Sequence, residues 1–266
     1  MFSLPHVKLD PNRLFGVEIE LLAPVEPCEV AEALAEVVEC HNEEYNHITR
    51  DYWKIVEDCT LYADEWGEHP MEIVSPPLLG EDGLAELVNV LTVLNELGCT
   101  VNTTCGLHIH HDAEDMDTEA IRILTKTYLK YEDVIDKLLD PSRRTCRHAG
   151  PLRFYGTSLT QMFARIDEAS TVHEVYRIWW DRYVKLNLES LQVHGTVEFR
   201  QHEGSLDVCA VTAWLSLTQS MVTSAVAKTR QVAAMPNTPT LVGFMLAAGA
   251  CPEVRQHYAH KYRNAV

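Results

Sequence analysis

The chain reads as an α+β domain with a mainly antiparallel sheet and helices packed on one side. Three observations predict this. Short segments that alternate apolar and polar residues intermix with stretches of helical period. No regular β-α-β alternation links them, which disfavours a parallel sheet. The 266 residues, 46% of them hydrophobic, are enough for a sizeable single core.

In chain order, RLFGVEIELL (13–22) alternates around Glu18 and Glu20 and predicts a strand. Pro27 opens an amphipathic helix carrying Val30, Leu34, Val37 and Val38. YWKIVED (52–58) and MEIVS (71–75) predict two more short strands. A helix over 81–97 repeats Leu84, Leu87, Leu91 and Leu94, and Gly98 stands at its C-terminal cap. GLHIHH (106–111) predicts a strand, followed by a helix from Thr118 to Leu139 that stops before Pro141.

An irregular stretch rich in Arg and Gly leads to a Trp- and Tyr-rich helix over 172–183, where Trp179 and Trp180 pack into the core. GTVEFRQH then predicts a strand, and Asp207 to about Lys228 a long apolar helix. Pro236 and Pro239 break the chain before two short C-terminal helices. Residues 1–266 are expected to form one catalytic domain, with the helices after about 235 as an appendage.

The formal charge of −17, with 39 acids against 22 bases, repels nucleic acid and anionic lipid, so neither is an expected partner. MFSLPHVKLD lacks the apolar run of a signal peptide, and no apolar stretch could span a bilayer. The eight cysteines include no CxxC pair and are expected to be reduced, in a cytoplasmic protein. No GxxxxGK[ST], GxGxxG or GxSxG occurs. His257 and His260 are expected on the surface of the last helix.

The charges of the strands gather by type. Period two puts Glu18 with Glu20, His108 with His110, and Glu198 with Arg200 and His202, each set on one strand face; Glu72 stands alone between Met71 and Ile73. For any one strand, a face turned to water is the commoner reading. Taken together the four strands carry no Lys and concentrate residues that bind hard cations. Carboxylates on neighbouring strands repel unless a positive charge sits among them. Oxygen ligands with one or two imidazoles suit Mg²⁺ or Mn²⁺ better than zinc.

FGVEIE (15–20), W-x-x-x-x-D (Trp53 to Asp58), MEIVSP (71–76), CGLHIHH (105–111), SRR (142–144), RYVKLNLES (182–190) and GTVEFRQHEG (195–204), in this order, resemble the amidoligase family of the carboxylate–amine ligase superfamily. The resemblance implies a glutamine synthetase-like fold, an antiparallel, funnel-like half-barrel with helices on its outer face. It implies ATP with Mg²⁺ or Mn²⁺ as cofactors, and amide formation through an acyl phosphate.

It further implies that Glu18, Glu20, Glu72, His108 and Glu198 hold two metal ions, that His110 lies near the nucleotide phosphates, and that Arg200 clamps phosphate or substrate. Lys185 and Asn187 would shape the floor of the site, or else Asn187 only satisfies backbone groups. Arg143 and Arg144 are further clamp candidates, or else a solvated basic loop or partners of a helix C-terminal dipole. Asp58 would deprotonate or hold the amine, or else close a turn. No counterpart of the ammonium-pocket segments of glutamine synthetase is found. The implied substrates are amino acids, peptides or other small carboxylates and amines, with the oligomeric state open. The rival reading is a metal-dependent hydrolase of amides or phosphoesters using the same Glu/His cluster.

Overall fold

The computed structural model describes residues 7–228 and 238–264. Over these residues the chain forms two compact units. The first comprises Pro11–His110 and His202–Thr212; the second comprises the described residues of 1–10, 111–201 and 213–266.

The first unit is a sheet with two helices. Its elements are β1 (Leu14–Ala23), α1 (Pro27–Leu34), β2 (Cys40–Asn42), β3 (Trp53–Glu57), β4 (His69–Val74), β5 (Leu78–Leu79), α2 (Gly80–Glu96) and most of β6 (Gly106–Asp112). The strand order is β2-β3-β4-β1-β6, with β5 also on β1. β1 runs antiparallel to β4 and β5, and β3 antiparallel to β4, as expected. β2 departs from the expectation by pairing parallel with β3. Its sequence, CHN, has no strand pattern of its own, and only pairing makes it one.

Alternation sets the faces. Val17, Ile19, Leu21, Met71 and Ile73 are buried, with Val30 and Leu34 of α1 and Leu87, Leu91 and Leu94 of α2 also in the core. Glu18, Glu20 and Glu72 fall on the opposite face and stay part-buried. Glu20 stands directly across from Glu72 in the register, and Ile19 across from Ile73. α1 begins with a capping box between Glu26 and Glu29. It ends at Leu34 rather than running on to Val38, because the Leu34 carbonyl accepts from both Val37 and Val38 and closes a turn. Gly98 takes a φ of +79° behind α2, the left-handed conformation expected of its cap.

The second unit contains α3 (Thr118–Ile135), a 3₁₀ turn (Pro141–Arg143), α4 (Leu159–Glu168), α5 (Val172–Tyr176), β7 (Leu186–Asn187), α6 (Ser190–Val193), most of β8 (Thr196–Glu203), most of α7 (Val208–Val226), α8 (Leu241–Ala248) and α9 (Pro252–Asn264). β7 and β8 pair antiparallel, with Asn187 opposite Glu198. α8 packs on α3, where Tyr131 and Phe244 stack with centroids 5.4 Å apart. His257 is half-buried and His260 exposed on α9. The expected Pro-rich break falls partly on 229–237, outside the described residues.

Three expectations change here. α3 stops at Ile135, short of Leu139, where Asp136 and Lys137 turn the chain. The expected irregular stretch contains α4, which Ser158 and Gln161 start with a capping box. The expected helix over 172–183 is only α5. Its continuation breaks where the Trp179 indole donates to the Leu152 carbonyl at 2.7 Å and the Asp181 carboxylate accepts the Tyr183 N–H at 2.8 Å. Trp180 then lies outside the helix at φ +44° and is 63% exposed, not in the core.

Candidate active site

In the first unit, β1, β4 and β6 bring five of the sequence-predicted residues together. The His108 Nδ1 lies 2.9 Å from Glu18 Oε2, and its Nε2 lies 3.6 Å from Glu20 Oε1. His110 Nε2 sits 3.3 Å from the other oxygen of Glu18. The Gly106 N–H donates to Glu20 Oε2 at 2.5 Å. Glu18, Glu72 and His108 each offer a ligand atom, all within 4.8 Å of one another. His108 is buried while the carboxylates are part-exposed, so the group has a closed floor and an open side.

The electrostatics follow from this crowding. Burial alone would raise Glu18, but the His110 charge and hydrogen bonds from His108 and His110 outweigh it. They hold the carboxyl well below its usual range. Glu72 is pushed well above that range, first by burial and then by the charges of Glu18, Glu20 and Asp58. Carboxylates and imidazole crowded this closely, with like charges set side by side, make a group that could hold a metal ion.

Two further residues frame this group. Asp58 follows β3, accepts the Thr60 N–H at 2.8 Å, and so closes the turn that was its alternative role. Lys54 was not singled out in the sequence. It is buried on the same sheet face, since its β3 neighbour Val56 stands across from Glu72. Its Nζ donates to the carbonyls of Asn46 and Ile48, each at 2.9 Å. Period two along KIVED was the signal that could have found it.

In the second unit, β8 overturns the solvated-face reading of its polar residues: Glu198 is 4% and Arg200 7% exposed, and Val197 and Phe199 on the other face are fully buried. Arg200 pairs with Glu198 through a short contact and donates from Nε to the His148 carbonyl at 3.2 Å. Asn187 Nδ2 donates to the second Glu198 oxygen at 2.6 Å. Arg143 is buried as well, so the solvated-loop reading fails for it; its guanidinium donates to the carbonyls of Arg200 (3.0 Å) and Gln201 (3.4 Å). Arg144 is exposed and donates to the Asp136 carbonyl at 3.0 Å.

Lys185 belongs to a separate buried group. Its Nζ lies 2.7 Å from Asp136 and 3.1 Å from Glu132. Gln201 bridges Asp136 to the Tyr128 hydroxyl. Burial raises the Asp136 carboxyl although Lys185 pulls the other way. Tyr128, Glu132 and Asp136 were missed, yet their spacing of four along a largely buried helix was legible.

All eight cysteines are free, and among the described residues no helix is long and apolar enough to cross a membrane. No protein of curated function matches the chain. Among solved structures, a bifunctional glutathione synthetase from Pasteurella multocida is similar at 14% identity and a TM-score of 0.42, over 95% of this chain and 48% of that one. The chain thus spans about half the length of that enzyme. The model of a family described as "Putative amidoligase enzyme" matches residues 11–222, from before β1 into α7. By that match the chain belongs to the amidoligase family.

Proposed function

We propose that this amidoligase joins a carboxylate to an amine in an ATP-dependent reaction that passes through an acyl phosphate. The observation that carries this reading is the convergence of Glu18, Glu72 and His108 on one point of the sheet face, with Glu20 and His110 bonded into the same group. The glutamine synthetase-like character of the fold is part of the proposal, and the mixed α+β, largely antiparallel architecture supports it.

Glu18, Glu20, Glu72 and His108 would hold Mg²⁺ or Mn²⁺, with Glu198 as a further carboxylate ligand. The ions would neutralise phosphate charge. His110 and Arg200 would bind phosphate oxygens, Arg200 through its planar fork. Asn187 keeps Glu198 in place, and Arg143, bound to the backbone of β8, positions Arg200. Lys185 anchors the same region through Glu132 and Asp136. Arg144, on the surface, keeps its candidacy as a clamp.

The neutral amine attacks the acyl carbon, and the C–N bond forms as the C–O bond to phosphate breaks. Phosphate departs with that electron pair, and the extra proton on the new amide nitrogen passes to Asp58. The free thiols fit a cytoplasmic setting.

The test is phosphate release from ATP across a panel of carboxylates and amines. Release that requires ATP, a divalent cation and both substrates supports the ligase. Amide or phosphoester cleavage without nucleotide would establish the hydrolase instead.

A further inference from the structure

In the second unit the segments 146–155 and 177–185 run side by side, bridged in parallel at Gly150 and Val184. We propose that the face they present docks an acidic peptide segment in which carboxylates alternate with apolar side chains. The inference is independent of the ligase reading and requires neither nucleotide nor metal.

Composition marks the face first. Residues 141–184 hold seven arginines and no lysine, and 141–166 hold no acid at all, in a chain of formal charge −17. Arginine in place of lysine, together with aromatic rings, is the composition of interface centres. Tyr155, Trp180 and Tyr183 are all exposed here.

Two local features call for a partner. The Arg182 guanidinium lies over the Tyr183 ring, 5.1 Å from its centroid. Its Nε is sealed from solvent and meets no acceptor among the described residues. Such a guanidinium has lost hydration without gaining a counter-charge, which a carboxylate at its open end would supply. Arg153 shows the contrast: its Nε is equally sealed, but Asp133 lies 3.6 Å from its Nη2. Trp180 is the second feature. It takes the left-handed backbone at φ +44°, a strained conformation for a residue with a side chain, and its exposed indole has Arg177 over it at 4.5 Å. The neighbouring Asp181 carboxylate is engaged by the Tyr183 N–H.

The face is fixed by its own bonds. The Gly150 N–H donates to the Tyr183 carbonyl at 2.7 Å, and the Lys185 N–H to the Gly150 carbonyl at 3.0 Å. The Trp179 indole holds the Leu152 carbonyl, and the His148 ring packs on Tyr183 with centroids 5.5 Å apart. A surface held in this way loses little freedom on binding.

Charge selects the partner. A short acidic segment meets the arginines alone, whereas a nucleic acid strand or an anionic membrane extends past them onto the acidic remainder of the chain. Apolar residues between the carboxylates would cover the aromatic rings. Arg147, exposed beside His148, offers a second cation.

Fluorescence anisotropy of labelled probes with the intact protein, at about 0.15 M salt, tests this. The probes are a short peptide alternating Glu with Leu and Phe, the same peptide with Lys for every Glu, and a thymidine oligonucleotide. The acidic peptide should bind roughly tenfold tighter than either of the others. Arg147→Gln/Arg182→Gln should weaken it by about tenfold, and Lys8→Gln/Arg255→Gln, exposed elsewhere, should not. Trp180→Gly adopts the same φ without strain. It should melt no lower than the parent and still bind the acidic peptide more weakly. No saturable binding of the acidic peptide, equal affinity for the acidic and basic peptides, or tighter binding of the oligonucleotide overturns the inference. Equal losses in the two double variants, or parental affinity in Trp180→Gly, overturns it as well. So does a peptide-free dimer that separates in Arg147→Gln/Arg182→Gln, because the face then receives a second copy of this chain.

Discussion

Glu72 stands directly across the strand pair from Glu20, and its carboxyl is raised by burial and by Glu18, Glu20 and Asp58. A carboxyl whose folded value exceeds its unfolded one holds its proton longer in the native state. The metal-free protein should therefore lose stability as pH rises from about 4.5 towards the raised folded value. Glu18 has the opposite sign, and its contribution is lost only as pH falls through its depressed value.

Two outcomes follow for melting curves recorded between about pH 5 and 8. Glu72→Gln should flatten the decline and melt higher than the parent without metal. Added Mg²⁺ should stabilise the parent more at higher pH, since binding displaces the proton, and should stabilise Glu72→Gln little. The identity of Glu72 as a carboxylate between Met71 and Ile73 was legible in the sequence; its place opposite Glu20 was not, because register is set by the partner strand. Lys185 carries a second residue-scale prediction. Lys185→Met strands Glu132 and Asp136 as buried charges and should cost roughly 3–5 kcal/mol in denaturant unfolding.

At the scale of elements, β8 shows why one strand's pattern misleads. Its alternation reads as a half-buried strand, yet both faces are covered and six of its eight residues are buried. Buried polar groups then need partners, and Glu198, Arg200 and Gln201 find them in Asn187, His148 and Asp136. The end of this strand is equally constrained. Gly204 donates to the Cys105 carbonyl at 2.9 Å, and a Cβ built there would meet the Cys105 Cβ at 2.5 Å. Gly204→Ala should destabilise by about 1–3 kcal/mol and lower the melting temperature with Mg²⁺ binding still measurable. Helix ends were read less well than helix cores. α5 stops early because Trp179 and Asp181 bond outside the helix, and such capture by distant partners leaves no periodic trace.

For the molecule as a whole, ligand linkage is the broadest test. Mg²⁺ or Mn²⁺, with a non-hydrolysable ATP analogue, should raise the melting temperature by binding only the folded chain; at about 100 times Kd the gain is near 2.7 kcal/mol. Glu198→Gln should abolish ATP-dependent phosphate release. A folded variant, checked by its circular dichroism and melting curve, that still turns over ATP as the parent does would remove Glu198 from the machinery.

By itself the sequence determined which residues share a strand face, because the pleat repeats every two residues whatever lies beyond it. It therefore paired Glu18 with Glu20 and His108 with His110 in advance. Only the tertiary structure decided that Glu72 and His108 close on Glu18 within ligand distance, that Lys54 lies buried on the same face, and that Arg143 serves the backbone of β8. Those facts depend on register and burial, which are made by segments far apart in the chain.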